Sequence, residues 1–299
     1  MKRAVSVSLG SSKRDKAVEV ELLGEKVSIE RIGTDGDMEK AAQMYAELDG
    51  KVDAFGVGGA DLGVLADKRW YPLYSVKKMV HTVKKTPLVD GTGLKNTLEK
   101  RALATFEAAH GDYIKKKHAF IVLGIDRWGF TKSFLDGGYD CVFGDLMFGL
   151  DIPIALKSEW ALKTMAALAM PIVGRLPFHW VYPTGEKQEK RVPKYHKYFD
   201  WSEFIVGDCH YIKSRLPDNV EGKIIITNTT TPEDVELFKN CGIKYLVTAT
   251  PVLNGRSFGT NMMEAALIAV SGKGRVLTHD ELDELIDKIG LKPEIQELI

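Results

Sequence analysis

The sequence predicts an α/β protein of two domains, the second of which is a doubly wound parallel sheet. Its 299 residues exceed the usual length of a single domain. Short apolar runs, among them AFIVLG at 119–124 and KIIITN at 223–228, alternate with helical patterns. Such continuous runs are typical of strands that are buried on both faces of a parallel sheet. The polar run GDYIKKKH at 111–118 separates the halves, so we place the domains at residues 1–112 and 113–299.

The N-terminal half begins with a predicted strand, AVSVSL at 4–9. Two runs with alternating apolar residues follow, and Gly24 between them indicates a hairpin. Asp37 precedes the pattern MEKAAQMYAEL and is expected to cap a helix there. Apolar residues recur at helical spacing from Leu94 to about Ala109, which predicts a long helix that leads into the second half.

The C-terminal half alternates between predicted strands and predicted helices. The strands lie at 119–124, 141–145, 204–208, 223–228 and 244–250. The helices lie at about 158–173, 232–242, 260–270 and 279–289, and the last two complete the chain. This alternation predicts the parallel sheet of the second domain.

The composition excludes several classes of function. The chain has 41 basic and 41 acidic residues, so no overall field attracts nucleic acid or an anionic membrane. Its most apolar helical stretch, ALKTMAALAMPIVG, is short and contains a lysine, which makes it unsuited to span a bilayer. The three widely spaced cysteines form neither a disulfide framework nor a zinc pattern, and the histidines show no ligand spacing. We therefore expect a cytoplasmic protein without a metal site, whose partner is a small molecule.

The stretch KHAFIVLGIDRWGFTKSFLDGGYDCVFGD at 117–145 has the outline of a dinucleotide-binding unit. Gly124 ends a strand and Gly129 lies five residues further on, as a Rossmann-like turn requires. Asp145 follows Gly124 by 21 residues, at the end of the next predicted strand, where an acidic side chain can bind the ribose of adenosine. A carboxylate at that place repels a 2′-phosphate, so the pattern favours NAD over NADP.

Asp126 occupies the place where such a turn has its second glycine. Its β-carbon and its negative charge both disfavour a bound pyrophosphate, although Arg127 beside it offsets part of the repulsion. The alternative is that Asp126 caps the helix that begins at Arg127. Both interpretations remain open, and the predicted cofactor-binding residues of this unit are Gly124, Asp126, Arg127, Gly129 and Asp145.

A second motif, LVDGTGLKNTLEKR at 88–101, precedes the long helix. Two glycines flank Thr92 directly after Asp90, which places the carboxylate at a strand end that faces a cleft. This motif resembles the Asp-Gly-x-Gly turn of the shikimate and quinate dehydrogenases, whose aspartate binds the polyol and assists proton transfer. The resemblance implies that role for Asp90, whereas the local alternative is a turn aspartate that hydrogen-bonds its own backbone.

Two further stretches resemble the same family, in the same order along the chain. KIIITNTTTP at 223–232 is similar to the family's strand and Asn-x-Thr turn beside the nicotinamide, which implies that Asn228 and Thr229 lie near the cofactor. The local alternative is that Thr231 caps a helix. SFGTNMMEAALIAVSG is similar to the family's closing helix, which brings a polar side chain to the substrate, here Glu264. A methionine-rich helix is also typical of a protein core.

The chain departs from this family at the catalytic lysine. The Asn-x-Thr-x-Pro-x-Lys segment that supplies it is absent. Because proton removal from an alcohol needs a base near the hydroxyl, Lys95 and Lys68 become the candidate catalytic lysines beside Asp90, with surface positions as the alternative for both. Asp61 follows the strand end GVGG, and Ser8 and Ser11 border the first turn. These three are candidate substrate-binding residues, with turn formation as the alternative.

Together these observations predict an NAD-dependent oxidoreductase that acts on the hydroxyl of a small polyhydroxylated acid similar to quinate or shikimate. One alternative is an enzyme that uses the same turn and Asp145 for another adenosine ligand, such as S-adenosylmethionine. The other is a ligand-sensing or partner-binding protein that has the fold without the chemistry. Asp126 and the missing lysine segment favour these alternatives. The basic and aromatic segment at 179–199 predicts a lid loop, and a homodimer is left open.

Overall fold

The structure is a computed structural model that describes residues 1–181, 191–250, 252–253 and 256–299. It contains a five-stranded and a six-stranded sheet, and most neighbouring strands in each are parallel. The predicted mixed α/β class with parallel sheets is therefore confirmed. The lid loop predicted at 179–199 lies in part outside the described residues.

The first half of the chain builds the five-stranded sheet. In chain order it forms β1 (Lys2–Ser8), β2 (Lys16–Leu22), β3 (Glu25–Gly33), α1 (Met38–Leu48), β4 (Ala54–Gly58), β5 (Gly63–Ala66), β6 (Arg69–Pro72), α2 (Tyr74–Val80), β7 (Leu88–Val89) and α3 (Thr92–His110). The strand order is β2-β3-β1-β4-β7, in which only β2 runs antiparallel to its neighbour. The predicted hairpin at Gly24 and the Asp37 helix cap are both confirmed. The carboxyl ends of β1, β3, β4 and β7 meet at one edge.

The second half builds the six-stranded sheet. In chain order it forms β8 (His118–Ile121), α4 (Trp128–Asp136), β9 (Asp140–Phe143), α5 (Asp145–Leu150), α6 (Glu159–Val173), α7 (Phe178–Val181), α8 (His196–Trp201), β10 (Phe204–Gly207), α9 (Cys209–Arg215), β11 (Ile224–Thr227), α10 (Pro232–Asn240), β12 (Tyr245–Thr248), β13 (Val252–Leu253), β14 (Arg256–Ser257), α11 (Thr260–Ser271), α12 (His279–Ile289) and β15 (Glu294–Glu297). The order is β15-β12-β11-β10-β8-β9, parallel except for β15. The sequence did not predict β15. No helix among the described residues is long and apolar enough to cross a membrane.

One hydrophobic core joins the two sheets through α3 and α11. Phe106 of α3 meets Phe204 and Tyr245 of the six-stranded sheet edge-to-face, with ring centroids 5.7 and 5.4 Å apart. Met263 and Leu267 of α11 are fully buried, and α11 packs against β1, β3 and β4 of the five-stranded sheet. The helix thus follows the second sheet in sequence but covers the first in space.

Glycines allow α11 to approach the first sheet closely. A β-carbon on Gly56 of β4 would lie 2.8 Å from the carbonyl oxygen of Asn261, and one on Gly91 would lie 2.4 Å from its amide nitrogen. Gly91 also has a φ of 92°, a left-handed conformation that favours glycine. Two independent constraints therefore require glycine between β7 and α3.

The Gly91→Ala variant is expected to lower the free energy of unfolding by about 3 kcal/mol or more, because alanine adds both backbone strain and a clash with α11. Gly138→Ala is the matched control, since Gly138 has a φ of 71° but nothing within 4 Å of its would-be β-carbon. That control should cost only about 1 kcal/mol. Urea unfolding of both variants measures the difference, and equal losses would contradict the close approach of α11.

Candidate active site

Lys95 and Asp61 face each other where the two sheets meet. Lys95 lies in the first turns of α3, and Asp61 follows β4 at the carboxyl edge of the five-stranded sheet. The Lys95 Nζ to Asp61 Oδ1 distance is 3.8 Å, and the side chains are 12% and 29% exposed. Because this distance exceeds a direct hydrogen bond, a single substrate oxygen can hydrogen-bond to both groups at once.

The surrounding charges give these two groups different protonation behaviour. Burial raises the pKa of Asp61, and the carboxylates of Asp126 and Asp90 add to this effect while Lys95 opposes it. Burial alone acts to lower the pKa of Lys95, but Asp61 and Asp126 outweigh it and raise that pKa. Lys95 therefore remains an ammonium donor at neutral pH, and Asp61 is the member of the pair suited to exchange a proton.

Asp90 ties the strand ends beside this pair together. Its Oδ2 accepts a hydrogen bond of 2.7 Å from the amide of Leu62, and its Oδ1 accepts one of 2.9 Å from the amide of Thr92. The second bond is the one expected of a turn aspartate. Asp90 therefore fixes the backbone next to Asp61 through these two hydrogen bonds. Its part in proton transfer stays a prediction.

Arg127 is the centre of a buried ionic network. Its Nη1 donates to Glu99 Oε1 at 3.0 Å, its Nε lies 3.2 Å from Asp126 Oδ2, and its Nη2 donates to Asp208 Oδ2. Its side chain is only 11% exposed. The three carboxylates come from α3, from the turn after β8 and from the end of β10, so one side chain links three chain segments.

Glu99 is the most deeply buried acid of this network. Burial raises the pKa of Glu99 to about 7, against the lowering effect of Arg127 and Lys95. Its second oxygen, Oε2, has no hydrogen-bond partner among the described residues. We use the term charged cluster for Asp61, Asp90, Lys95, Glu99, Asp126, Arg127 and Asp208.

The end of β11 borders the charged cluster. Asn228 donates from Nδ2 to Asp208 Oδ2 at 2.7 Å, and its Oδ1 accepts from the amide of Cys209 at 3.0 Å. The hydroxyl of Thr229 hydrogen-bonds to that of Thr250. Thr231 caps α10, so that local expectation is confirmed, whereas the nearness of Asn228 and Thr229 to a cofactor stays a prediction.

Asp145 binds the Gly124 turn itself. Its two carboxylate oxygens accept hydrogen bonds from the amides of Gly124 and Ile125, both at 3.0 Å, and the residue is buried. Burial raises the pKa of Asp145 to about 6, although both amides act in the opposite direction. Each oxygen of this buried carboxylate is thus engaged by one amide of the turn, and the binding of a ribose by Asp145 stays a prediction.

The other residues of the turn are also engaged within the protein. A β-carbon on Gly124 would lie 3.0 Å from the side chains of Phe143 and Thr131, and one on Gly129 would lie 2.6 Å from Glu99 Cβ. The glycines therefore serve close packing between elements. The capping role suggested for Asp126 is wrong, because α4 has Arg127 at its N-cap without a side-chain hydrogen bond.

The Gly124 turn was predicted to bind the pyrophosphate of a dinucleotide. The amides of Gly124 and Ile125 already have a carboxylate acceptor, and Asp126 and Asp208 add negative charge at the start of α4. A pyrophosphate would be repelled by these carboxylates, and the cation of this turn, Arg127, already has three carboxylate partners. The residues present do not fit a pyrophosphate at this turn.

Three other predicted residues have mainly structural surroundings. Lys68 lies in the exposed turn of the β5–β6 hairpin, which favours the surface position that was its alternative. Ser8 is buried, and its Oγ accepts from Arg31 at 3.0 Å and from the Gly10 amide at 3.1 Å. Ser11 accepts from the Lys13 amide at 3.3 Å.

Glu264 lies at the N-terminus of α3. Its Oε2 accepts from the amide of Leu94 at 3.0 Å, and a β-carbon on Gly93 would lie 2.6 Å from its Oε1. Burial raises the pKa of Glu264 to about 7, against the lowering effect of these backbone contacts. The side chain thus accepts a hydrogen bond at the N-terminus of α3 across the interface between α11 and α3, and its contact with a substrate stays a prediction.

The sequence did not indicate Glu99, and it suggested Asp208, Cys209 and His210 at a strand end as a possible site without linking Asp208 to Arg127. A signal for Glu99 was present, since it follows Lys95 by four residues and so shares its helix face among buried leucines. Asp208 follows the buried strand FIVG directly, at the carboxyl edge. Within the described ranges, no three His, Cys, Asp or Glu side chains are placed to hold a metal ion.

The Glu264→Gln variant is expected to become more stable relative to the parent as pH rises. A carboxyl whose folded pKa exceeds its unfolded pKa binds its proton more tightly when folded, so its contribution to stability is lost between about pH 4.5 and pH 7. Glutamine removes this loss and keeps an acceptor for the Leu94 amide. The stability difference should grow by up to about 3 kcal/mol between about pH 5 and pH 8.

Urea unfolding at the two pH values provides the measurement. Glu47→Gln, on the exposed face of α1, is the control for a change of charge alone. A stability difference between Glu264→Gln and the parent that does not change with pH would show that Glu264 is not a buried titrating group.

The fold and the charged cluster define an α/β protein in which the carboxyl edges of two parallel sheets share one ionic site. The chain belongs to the family described as domain of unknown function DUF8754, which it matches over residues 93–298. Residues 3–90 match a second description, domain of unknown function DUF8753. The two matches meet at the Gly91 turn. No curated protein matches the chain.

Solved structures with detectable similarity include enzymes and a binding protein. An NAD-dependent malic enzyme from Thermotoga maritima is 14% identical, with 95% of this chain and 75% of that chain covered and a TM-score of 0.42. A malic enzyme from Entamoeba histolytica is 11% identical, with coverage of 90% and 57% and a TM-score of 0.41. A galactofuranose binding protein is 12% identical, with coverage of 97% and 99% and a TM-score of 0.37. At these values the similarities carry no argument about activity.

Proposed function

We propose that the chain is an enzyme that removes a proton from a hydroxyl of a small polyhydroxylated acid of the quinate or shikimate type. The observation that carries this proposal is the opposed pair of Lys95 and Asp61, 3.8 Å apart at the meeting edges of two sheets. Open α/β sheets bind ligands at the carboxyl ends of their strands, which is where this pair lies. The motif around Asp90, similar to that of the polyol dehydrogenases, supports the same substrate class.

Each member of the pair has a distinct task in this proposal. Asp61 accepts the hydroxyl proton, because its raised pKa brings its basicity nearer to neutral pH. The Lys95 ammonium donates a hydrogen bond to the same substrate oxygen and stabilises the negative charge that develops on it. Asp90 fixes the backbone on either side of the pair. Activity should rise with pH as Asp61 ionises.

The specific reaction that the family resemblance implies is oxidation of this hydroxyl with NAD, which would make the chain an oxidoreductase. The Gly124 turn does not support binding of the NAD pyrophosphate in the predicted way, and the same filled turn weighs against an S-adenosylmethionine site. The second candidate is therefore dehydration of the acid without a nucleotide, in which Asp61 removes a proton from the carbon next to the hydroxyl and the Lys95 ammonium protonates the hydroxyl that leaves as water. The Asp145 hydrogen bonds to the turn favour this second candidate.

The Asp61→Asn variant is expected to lower turnover by about 10² or more, because asparagine keeps the shape but cannot accept the proton. Lys95→Met should give a loss of similar size through the missing charge. Lys68→Met is the matched control and should retain the activity of the parent, since Lys68 lies in an exposed hairpin turn. Full activity in Asp61→Asn would contradict the assignment of this aspartate as the base.

Screening hydroxy acids with and without NAD separates the two reactions. NADH formation, together with calorimetric NAD binding, supports the dehydrogenase. Exchange of carbon-bound hydrogen for deuterium, or product formation, seen by NMR without NAD supports the second candidate. The Gly124 turn has no site for the pyrophosphate, so we do not expect it to contribute to NAD affinity. If the protein binds NAD elsewhere, Asp145→Ala should leave the NAD affinity unchanged. Conversion of no acid in either format would remove the enzymatic proposal.

A further inference from the structure

Two arginines stand side by side at the same sheet edge as the charged cluster. A β-carbon on Gly10 would lie 2.8 Å from Arg31 Nη2 and 3.2 Å from Arg14 Nη2, so both guanidinium groups reach the space that this glycine leaves open. Arg31 comes from β3, and Arg14 from the short turn after β1. Two like charges at this separation repel each other unless an anion lies between them.

The guanidinium of Arg31 is fixed by hydrogen bonds within the protein, whereas that of Arg14 has no described hydrogen bond. Arg31 is 11% exposed and donates to Ser8 Oγ, to the carbonyl of Ser11 and to Asp15 Oδ1, at 2.9 to 3.0 Å. Burial lowers the pKa of Arg31, and the charge of Arg14 lowers it further against the effect of Asp15. Arg14 is exposed, and its guanidinium has neither a hydrogen bond nor an ion pair among the residues that the structure describes.

The nearby acids do not neutralise Arg14. Asp15 Oδ1 accepts from Arg31 and, at 2.6 Å, from the amide of Gly33. Asp35 Oδ1 accepts from the amide of Ser12 at 2.8 Å. The described hydrogen bonds of both carboxylates thus come from Ser12, from the Gly33 amide or from Arg31, and none comes from the guanidinium of Arg14.

Gly10, beside this arginine pair, packs against the segment that leads to Asp61. The amide of Leu9 donates to the carbonyl of Gly58 at 2.9 Å, and a β-carbon on Gly59 would lie 3.2 Å from the nitrogen of Gly10. Asp61 follows Gly59 by two residues, so the Cα atoms of Gly59 and Asp61 are at most about 8 Å apart. Gly10 and Asp61 thus follow the carboxyl ends of two neighbouring strands, β1 and β4.

We infer that Arg14 and Arg31 form the site for the carboxylate of the substrate, while its hydroxyl lies between Asp61 and Lys95. This inference rests on the proposed function, since it assigns the second functional group of the same ligand. Electrostatics favour this orientation, because the charged cluster repels a carboxylate and the arginine pair attracts one. Planar guanidinium groups bind carboxylates with two parallel hydrogen bonds, which suits two arginines that share one space.

Calorimetry with the full chain tests the inference with quinate and its methyl ester, which differ in the carboxylate charge. The parent should bind quinate at least tenfold more tightly than the ester. Arg14→Gln should weaken quinate by about tenfold or more and leave the ester unchanged, and Arg14→Lys should restore part of the loss. Lys13→Gln is the matched control, because it removes an exposed cation one residue away. It should change the quinate affinity less than twofold.

Several outcomes would overturn the carboxylate site. They are equal weakening of acid and ester in Arg14→Gln, no weakening of either, and failure of quinate, shikimate and other hydroxy acids to bind the parent. Inorganic phosphate that binds through Arg14 where no carboxylic acid does so would assign the arginines to another anion, which also overturns it. Binding is measured here without turnover. Arg14-dependent acid binding without any reaction would therefore refute the proposed function alone, and turnover with an unchanged acid KM in Arg14→Gln would refute the carboxylate site alone.

Discussion

The buried guanidinium of Arg127 is the interaction on which the arrangement of the site depends. Removing a cation and its partners from water is costly, and the cost is offset only when every charge has close partners. Here Glu99, Asp126 and Asp208 surround one arginine from three separate segments. Loss of any partner leaves charge unbalanced in a region of low dielectric. The network therefore fixes α3, the turn after β8 and the end of β10 relative to one another. Because Lys95 lies on the same face of α3 as Glu99, its position is fixed as well.

The Gly124 turn illustrates how a nucleotide-like pattern can arise for another physical reason. Gly124, Gly129 and Asp145 have the spacing of a dinucleotide site. Here, however, Asp145 accepts hydrogen bonds from the turn, and the two glycines allow neighbouring side chains to pack closely. Any carboxylate beneath a turn of free amides satisfies the same donors that a phosphate would satisfy. Spacing alone does not distinguish a ligand from an internal substitute for it.

Much of the local structure was predictable because it follows from short-range chemistry. The hairpin at Gly24, the Asp37 cap and the Thr231 cap each depend on residues within four positions of one another. Buried strands were readable from apolar runs. The site was predictable only in part, since Asp61, Asp90, Lys95 and Arg127 follow strand ends or their turns. The roles of Glu264 and Asp208 depend on partners 170 and 81 residues away, and the edge strand β15 depends on pairing with β12. Such contacts leave no local pattern in the sequence.

The position of α11 has a consequence for the order in which the chain can fold during synthesis. Residues up to 110 emerge from the ribosome long before residues 260–271, yet the glycine-lined face of the first sheet packs against that later helix. Until then the nascent sheet exposes apolar surface, a state in which chains are prone to aggregate and which chaperones recognise. Contacts of such large sequence separation also slow folding, because a long loop must close before they form. The first sheet is thus synthesised early but completed late.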